Sequence, residues 1–117
     1  MKPPMPATIR AAITAELDAA SLTPDPAHRW TALERAHILS QPWAIAHTKV
    51  HWRMLTLALR QRDRTEAVGQ VVRLAVAAPG SLSGRYPRGN TGRARVGLTQ
   101  PMEVPSDLEQ LLRTRDT

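Results

Sequence analysis

Prolines divide this chain into segments that each repeat apolar side chains at the period of a helix. Breakers stand at residues 23–26 (TPDP), at Gln41 and Pro42, and at Pro79 and Gly80. Proline removes a backbone donor and disfavours a helical residue before it, so helices begin or end at such places. Between the breakers, apolar residues recur every three to four positions, which is typical of amphipathic helices and not of strands. The pattern predicts helices over about 7–21, 26–40, 42–62 and 64–78.

The region after the fourth predicted helix has a different composition. Ser, Gly, Pro, Arg, Asn and Thr dominate residues 79–105, and no period survives there. A loop of this length is uncommon in a compact domain unless it is functional or mobile. Ser106 and Glu109 then form a capping-box pattern. It predicts a short C-terminal helix over about 106–115, which we expect to pack back on the other helices.

These segments predict an all-α fold with a single domain over residues 1–117. The four main helices form two antiparallel helical hairpins, followed by the long Gly/Arg loop and the short C-terminal helix. Segments 32–42 and 67–79 resemble each other weakly at a spacing of about 35 residues, which is typical of tetratricopeptide-like repeats. A four-helix bundle is the alternative. Both arrangements place the second helix against the third, and both leave the fourth helix with a wide apolar face formed by Val68, Val71, Val72, Leu74, Ala75 and Ala78.

The composition excludes several classes of protein. A chain of 117 residues without cysteine has no disulfide framework, no thiolate nucleophile and no Cys-ligated zinc. No apolar run is long enough to span a bilayer, and residues 1–8 show no hydrophobic signal segment. We therefore expect a soluble cytoplasmic protein. The net charge of +6 is compatible with a polyanionic partner, but an arginine bias beside much Ala, Pro and Gly is also typical of a GC-rich genome, which we favour.

The most distinctive polar residues are three histidines around the junction of the second and third helices. His47 and His51 are four residues apart, so one helix presents both imidazoles on the same side. The second helix runs back through a tight turn, which lets His37 approach them, with Glu34 one turn before it. We predict that a transition metal ion such as copper or zinc binds His37, His47, His51 and Glu34. Met54, one turn after His51, would add a thioether that favours copper.

The alternative interpretation of these residues is structural. His47 would then lie in the core with a hydrogen bond to Glu34, His51 would sit at its edge, and Met54 would fill a gap. Two histidines four residues apart are common by chance when no third ligand is fixed. His28, in the first turn of the second helix, is expected to be exposed and uninvolved.

The loop contains a second motif, PRGNTGRARV, within an arginine-rich stretch at residues 85–95. Its glycines offer positive-φ positions and N–H groups that bind anions, although the Lys-Ser/Thr ending of a P-loop is missing. Binding of nucleic acid is disfavoured because Tyr86 is the one aromatic side chain nearby. A further interpretation is that Asn90 and Thr91 fold over the histidines and support them.

The motifs together resemble a family of small uncharacterised bacterial proteins, the domain of unknown function 3703 family. The segments that carry the resemblance are LERAHILSQ, HTKVHWRML, ALRQRDRTEAVGQ and GNTG, within a range from Ile9 to about Leu112. Members often read GNTGG, whereas Arg93 stands at the last position here. The resemblance implies a common fold over this range and no particular activity. It singles out Glu34, His37, His47, His51, Trp52, Arg53, Asn90 and Thr91.

The leading functional hypothesis is a small metal-binding helical protein in metal handling or resistance. Met54, Asn90, Thr91 and Arg53 are the candidates to surround or cover its site. The alternative is a tetratricopeptide-like adaptor without metal, which binds a protein partner in its helical groove. A catalytic function has little support, because no Ser-His-Asp set or pair of carboxylates stands in a recognisable context.

Overall fold

The computed structural model describes residues 4–114, and five α-helices form its framework. They are α1 (Ala7–Leu22), α2 (Pro26–Ser40), α3 (Ala44–Arg60), α4 (Arg64–Ser83) and α5 (Ser106–Arg113). No strand occurs within residues 4–114, so the predicted all-α fold is confirmed. Residue 115, the predicted end of the last helix, lies outside the described residues. Within the described range, no helix combines the length and the apolar character that crossing a bilayer requires.

Side-chain caps fix the start of two helices. The Asp25 carboxylate accepts a hydrogen bond from the Ala27 N–H at 3.0 Å, and Pro26 occupies the first helical position of α2. The Asp63 carboxylate accepts from the Glu66 N–H at 3.0 Å and begins α4. Each cap stabilises its helix by about 1 kcal/mol.

The predicted end of the fourth helix is wrong, because α4 continues through Pro79 to Ser83. Proline costs the helix one backbone hydrogen bond, but the last turn is held in place from outside. Ser81 is fully buried there and donates a hydrogen bond to the Gln41 carbonyl at 2.6 Å. The helix ends at Gly84, whose φ of 73° lies in the left-handed region that favours glycine. The loop therefore begins at residue 85 and not at residue 79.

The four long helices lie in a row. Helix α1 packs against α2, α2 against α3, and α3 against α4, which confirms the predicted contact between the second and third helices. Within the described range, no Cα atoms of α1 and α4 approach within 8 Å, so the row does not close into a ring. Helix α5 packs back on α1 and α2, as its apolar residues predict.

Two apolar clusters hold this row together. The first joins α1, α2, α3 and the first turn of α4 and includes Trp30, Leu33, Val50 and Met54. The second joins α5 to α1 and α2 and comprises Ile9, Ile13, Ile38, Leu39, Leu108 and Leu112. Burial of such side chains contributes roughly 1.5–3 kcal/mol each to stability. The clusters lie mainly on the α1 and α2 side of the molecule.

Helix α4 has the opposite polarity. Its buried face carries polar side chains, among them Glu66, Gln70, Arg73 and Ser81. Its valines point outward, with Val68 67% and Val71 56% exposed. The apolar face that the sequence indicated is thus largely on the surface. The inward face is polar because it lies against the three histidines described next.

Candidate metal site

The imidazoles of His37, His47 and His51, called the histidine cluster below, converge on one point. His37 comes from α2, while His47 and His51 lie one turn apart on α3. The Nε2 atom of His37 lies 3.0 Å from that of His47 and 3.0 Å from that of His51, and the third side of this triangle measures 3.2 Å. The three side chains are buried, with 2–6% of their surface exposed. The structure thus brings together the three histidines that the sequence singled out.

Hydrogen bonds fix the tautomer of His37 and His51. The Nδ1 atom of His37 lies 2.6 Å from the Asn90 carbonyl oxygen, and that of His51 lies 2.7 Å from Oε1 of Gln70. The amide nitrogen of Gln70 donates to the Glu66 carboxylate at 2.8 Å, so its oxygen faces the imidazole. A carbonyl oxygen accepts and does not donate. Both Nδ1 atoms therefore carry the proton, and both Nε2 atoms present a lone pair.

The same holds for His47. Its Nδ1 atom lies 2.9 Å from Oγ of Ser81, whose own proton is donated to the Gln41 carbonyl. Ser81 therefore accepts from His47, and the third Nε2 atom also presents a lone pair. The alternative hydrogen bond from His47 to Glu34 is wrong. Three acceptors thus face one another at hydrogen-bond distance with no donor among them.

Burial keeps the histidine cluster uncharged. Desolvation lowers the pKa of His47 to about 3 and that of His51 to about 4. Burial, followed by the charges that His51 and His47 would carry, lowers the pKa of His37 well below its usual value. All three imidazoles are therefore neutral near pH 7, which is the form that binds metal ions.

The triangle has nearly the size that a metal ion requires. Its sides of 3.0–3.2 Å place each nitrogen about 1.8 Å from the centre, slightly less than a Zn–N distance of about 2.0–2.1 Å. The ligand atoms of a tetrahedral ion with such bonds would stand about 3.3 Å apart. A widening by a few tenths of an ångström is sufficient. Three imidazoles form a donor set that zinc, copper, iron and nickel accept.

The GNTG segment is built around His37. The Asn90 side chain holds the segment in shape, since its Oδ1 accepts from the Gly92 N–H at 2.8 Å and its Nδ2 donates to the carbonyls of Gly97 and Gln100. Gly92 has a φ of 84° and lies directly on the imidazole, where an added Cβ would come within 2.7 Å of Cδ2 of His37. The motif thus supplies both the acceptor for His37 and the space for its ring.

A chain of polar contacts leads outward from the cluster. Gln70 bonds to Glu66, which accepts from Nε of Arg93 at 2.7 Å, and Nη1 of Arg93 donates to Glu34 at 3.0 Å. The guanidinium also lies 3.8 Å from the centre of the Trp30 ring. Glu34, a predicted ligand, therefore lies in an outer ion pair. Among residues 4–114, the one group of three or more potential ligands whose atoms lie within 4.8 Å of one another is formed by the three histidines.

The other predicted residues lie farther out or in the core. Met54 is fully buried in the first apolar cluster. Thr91 is half-buried in the GNTG segment. Arg53 donates to the Leu17 carbonyl at 3.2 Å and to Ser21 at 2.6 Å, which ties α3 to α1. These three residues lie outside the lining of the cavity described next.

One side of the histidine cluster faces a cavity of about 340 Å³. All three imidazoles line it, together with Arg73, Tyr86, Leu98 and residues near the end of α4. Leu98 is 43% exposed, so the cavity reaches the surface of the protein. The cavity therefore connects the rings of the histidine cluster with the surface of the protein.

Sequence reasoning missed the residues of α4 that support the cluster. Gln70 and Ser81 accept from His51 and His47, and both are fully buried. Glu66, Gln70, Arg73 and Ser81 are spaced by three, four or eight residues and therefore fall on one side of the helix. That polar stripe on a valine-rich helix was the available signal.

Fold and site together define an all-helical domain with a buried three-histidine cluster beside an open cavity. The chain belongs to the family described as Protein of unknown function (DUF3703), whose sequence model matches residues 7–112. This match confirms the resemblance noted from the motifs. No curated protein and no solved structure matches the chain significantly.

Proposed function

We propose that the protein binds a transition metal ion through the Nε2 atoms of His37, His47 and His51 and serves in metal handling or resistance. One observation carries this proposal: three Nε2 lone pairs converge at 3.0–3.2 Å while each Nδ1 proton is already donated. An ion bonded to all three nitrogens satisfies the three acceptors at once. A bridging proton would serve one pair of nitrogens and would place a charge where burial disfavours it.

The hydrogen bonds around the cluster also support metal binding. Histidine ligands commonly donate their second ring N–H to a carbonyl, carboxylate or similar acceptor, which fixes the ring and its tautomer. Here Asn90, Gln70 and Ser81 supply the acceptors for His37, His51 and His47, respectively. If the histidines were packed in the core for their shape alone, the three rings would not need to share one tautomer.

A role in handling the ion is favoured over a purely structural ion. The two apolar clusters hold the helices together without it. The cavity borders the three rings and reaches the surface, which favours it as the path by which an ion would enter and leave. The absence of thiolate in the chain favours ions that accept imidazole, among them zinc, copper and nickel.

The test is elemental analysis of the untagged protein, followed by titration with copper, zinc, nickel and cobalt. We expect one ion per chain in the wild type and loss of that ion in the double variant His47→Ala with His51→Ala. His28→Ala is the matched control, because the His28 side chain is 73% exposed and pairs with Asp25. Circular dichroism checks that each variant keeps its helices. Metal at trace levels for all four ions in the folded wild type refutes the proposal.

A second candidate function is an adaptor that binds a protein partner without metal. The outward valines of α4 favour it, since Val68, Val71, Val72 and Val76 form an exposed apolar face on one helix. Substitution of Val68 and Val72 by serine would abolish capture of a partner, whereas the double variant His47→Ala with His51→Ala would retain it. Retention of the partner by that variant would contradict this function.

A further inference from the structure

We infer that a small organic anion with a short apolar tail, such as a carboxylate, binds the ion at its fourth position through the cavity. This inference rests on the proposed function. Three observations carry it: the open side of the histidine cluster, the balance of charge around the cluster, and the apolar walls of the cavity.

The first observation is that the protein supplies three ligands and leaves one side open. Among residues 4–114, the ligand group contains histidine nitrogens alone. All three rings line the cavity, so it borders the cluster on one side. A three-ligand site with an open position is the arrangement in which zinc binds water or an exogenous ligand.

The second observation is a buried cation beside the cluster. Arg73 lines the same cavity and is 8% exposed. Its guanidinium donates to the carbonyls of Gly69, at 3.1 Å, and Val96, at 2.7 Å. No carboxylate lies within 4.0 Å of it in the described part of the chain.

The charges around the site leave a bound ion uncompensated. The three imidazoles are neutral. Glu34 and Glu66 carry two negative charges, and Arg73 and Arg93 carry two positive charges, so these four side chains sum to zero. Arg85, which also lines the cavity, adds a further positive charge. A divalent ion would therefore keep its full charge in a partly desolvated position, where an opposite charge nearby is strongly favoured. An anion at the fourth position supplies that charge and also faces Arg73.

The third observation is the character of the cavity walls. Val76, Ala77, Pro79 and Leu98 line it, and Tyr86 adds an aromatic ring. A volume of about 340 Å³ falls in the range of sites for small molecules. A hydrated inorganic anion would leave these walls without a partner, whereas a short alkyl chain would cover them. The ligand is therefore expected to combine a charged end with an apolar tail.

The experiment uses the full chain loaded with Co(II), whose visible absorption reports changes in its ligands. The protein is titrated with formate, butyrate and hexanoate, and binding of cobalt is measured separately by elemental analysis. We expect a saturable spectral change with each anion. Because each buried methylene contributes roughly 0.8 kcal/mol, the affinity should rise about fourfold per CH₂ along the series.

Variants of the cavity test separately how the charge of Arg73 and the apolar tail of the anion contribute to affinity. In protein fully loaded with cobalt, Arg73→Gln should weaken binding of hexanoate about tenfold, and Arg73→Lys should retain most of it. Leu98→Ser should weaken hexanoate several-fold and leave formate unaffected. Leu59→Ser is the matched control, since Leu59 is 62% exposed on α3 and lies outside the cavity.

The outcomes distinguish this inference from the function on which it rests. If the protein retains none of the four ions cobalt, copper, zinc and nickel, metal binding itself is refuted. If cobalt is retained but none of the three anions changes its spectrum, the inference that an anion binds at the fourth position is overturned, while metal binding stands. Equal affinity for formate and hexanoate overturns the apolar tail. Binding that rises with chain length and falls in both Arg73→Gln and Leu98→Ser supports the inference in full.

Discussion

A methyl group added at Gly92 should disable the proposed metal site while leaving the helices intact. The Cβ atom of Gly92→Ala would lie 2.7 Å from Cδ2 of His37 and 2.9 Å from both Cγ and Nε2. Ordinary contacts begin near 3.4 Å, so either the imidazole or the loop has to move by roughly 0.7 Å. Metal ligands tolerate displacements of about 0.2 Å. His37 would therefore be lost as a ligand or held in a strained position.

The size of the effect has two parts. Alanine at φ +84° costs about 1–2 kcal/mol of backbone free energy, because a side chain in the left-handed region meets its own carbonyl. Displacement of the ring weakens metal binding by roughly 10–100-fold, the usual effect of disturbing the groups that orient a ligand. We therefore expect a modest loss of stability and a large loss of affinity.

Gly84→Ala is the matched control for this substitution. Gly84 also has a positive φ, of 73°, but no atom lies within 4 Å of an added Cβ there. It should show the same backbone cost in urea denaturation and wild-type affinity in a competitive metal titration. If Gly92→Ala binds metal as tightly as Gly84→Ala does, the contact between the GNTG segment and His37 does not position the ligand, and the reasoning is refuted.

Three further predictions test other parts of the structure. Gln70→Leu removes the acceptor of His51 and should lower metal affinity roughly 10–100-fold, whereas unchanged affinity would show that the tautomer is fixed otherwise. The metal-free protein should lose stability from pH 7 to pH 5 in urea titrations, because the unfolded chain protonates near pH 6.5 while burial lowers the pKa of two cluster members to about 3 and about 4. Three such groups give the free energy of unfolding a slope of up to about 4 kcal/mol per pH unit. The control variant His28→Gln should keep that slope, and a free energy of unfolding that does not change with pH would contradict burial of neutral rings. Leu108→Ala should cost about 2–5 kcal/mol because α5 is docked through it, and Val68→Ala should cost less than about 0.5 kcal/mol; equal costs would mean that α4 buries its valines.

The helices and two of the site histidines follow from local patterns. A period of three to four residues specifies a helix, and a spacing of four places His47 and His51 on one side of it. The approach of His37 follows from the tight turn at Gln41 and Pro42, which makes α2 and α3 antiparallel. These features depend on neighbours in sequence, so the sequence alone predicts them.

The orientation of α4 and the support of the cluster do not follow from such patterns. A valine-rich stripe normally faces the core. In α4 the side that carries Gln70 and Ser81 faces inward instead, because both side chains accept hydrogen bonds from the histidine cluster. Pro79 normally ends a helix, and it is tolerated here because Ser81 is held by contacts to other elements. The placement of Glu34 depends on Arg93, which no local spacing relates to it.

The histidine cluster combines ligands that are close in sequence with supports that are remote. His37 lies ten residues from His47 and fourteen from His51 along the chain. The acceptors of their Nδ1 protons stand 34 residues away for His47, 19 for His51 and 53 for His37. Short loops close at a lower entropic cost than long ones, so we expect contacts between α2 and α3 to form before the distant segments dock. The proposed metal ion would then meet its three nitrogens early in folding and be held more tightly with each distant segment that docks.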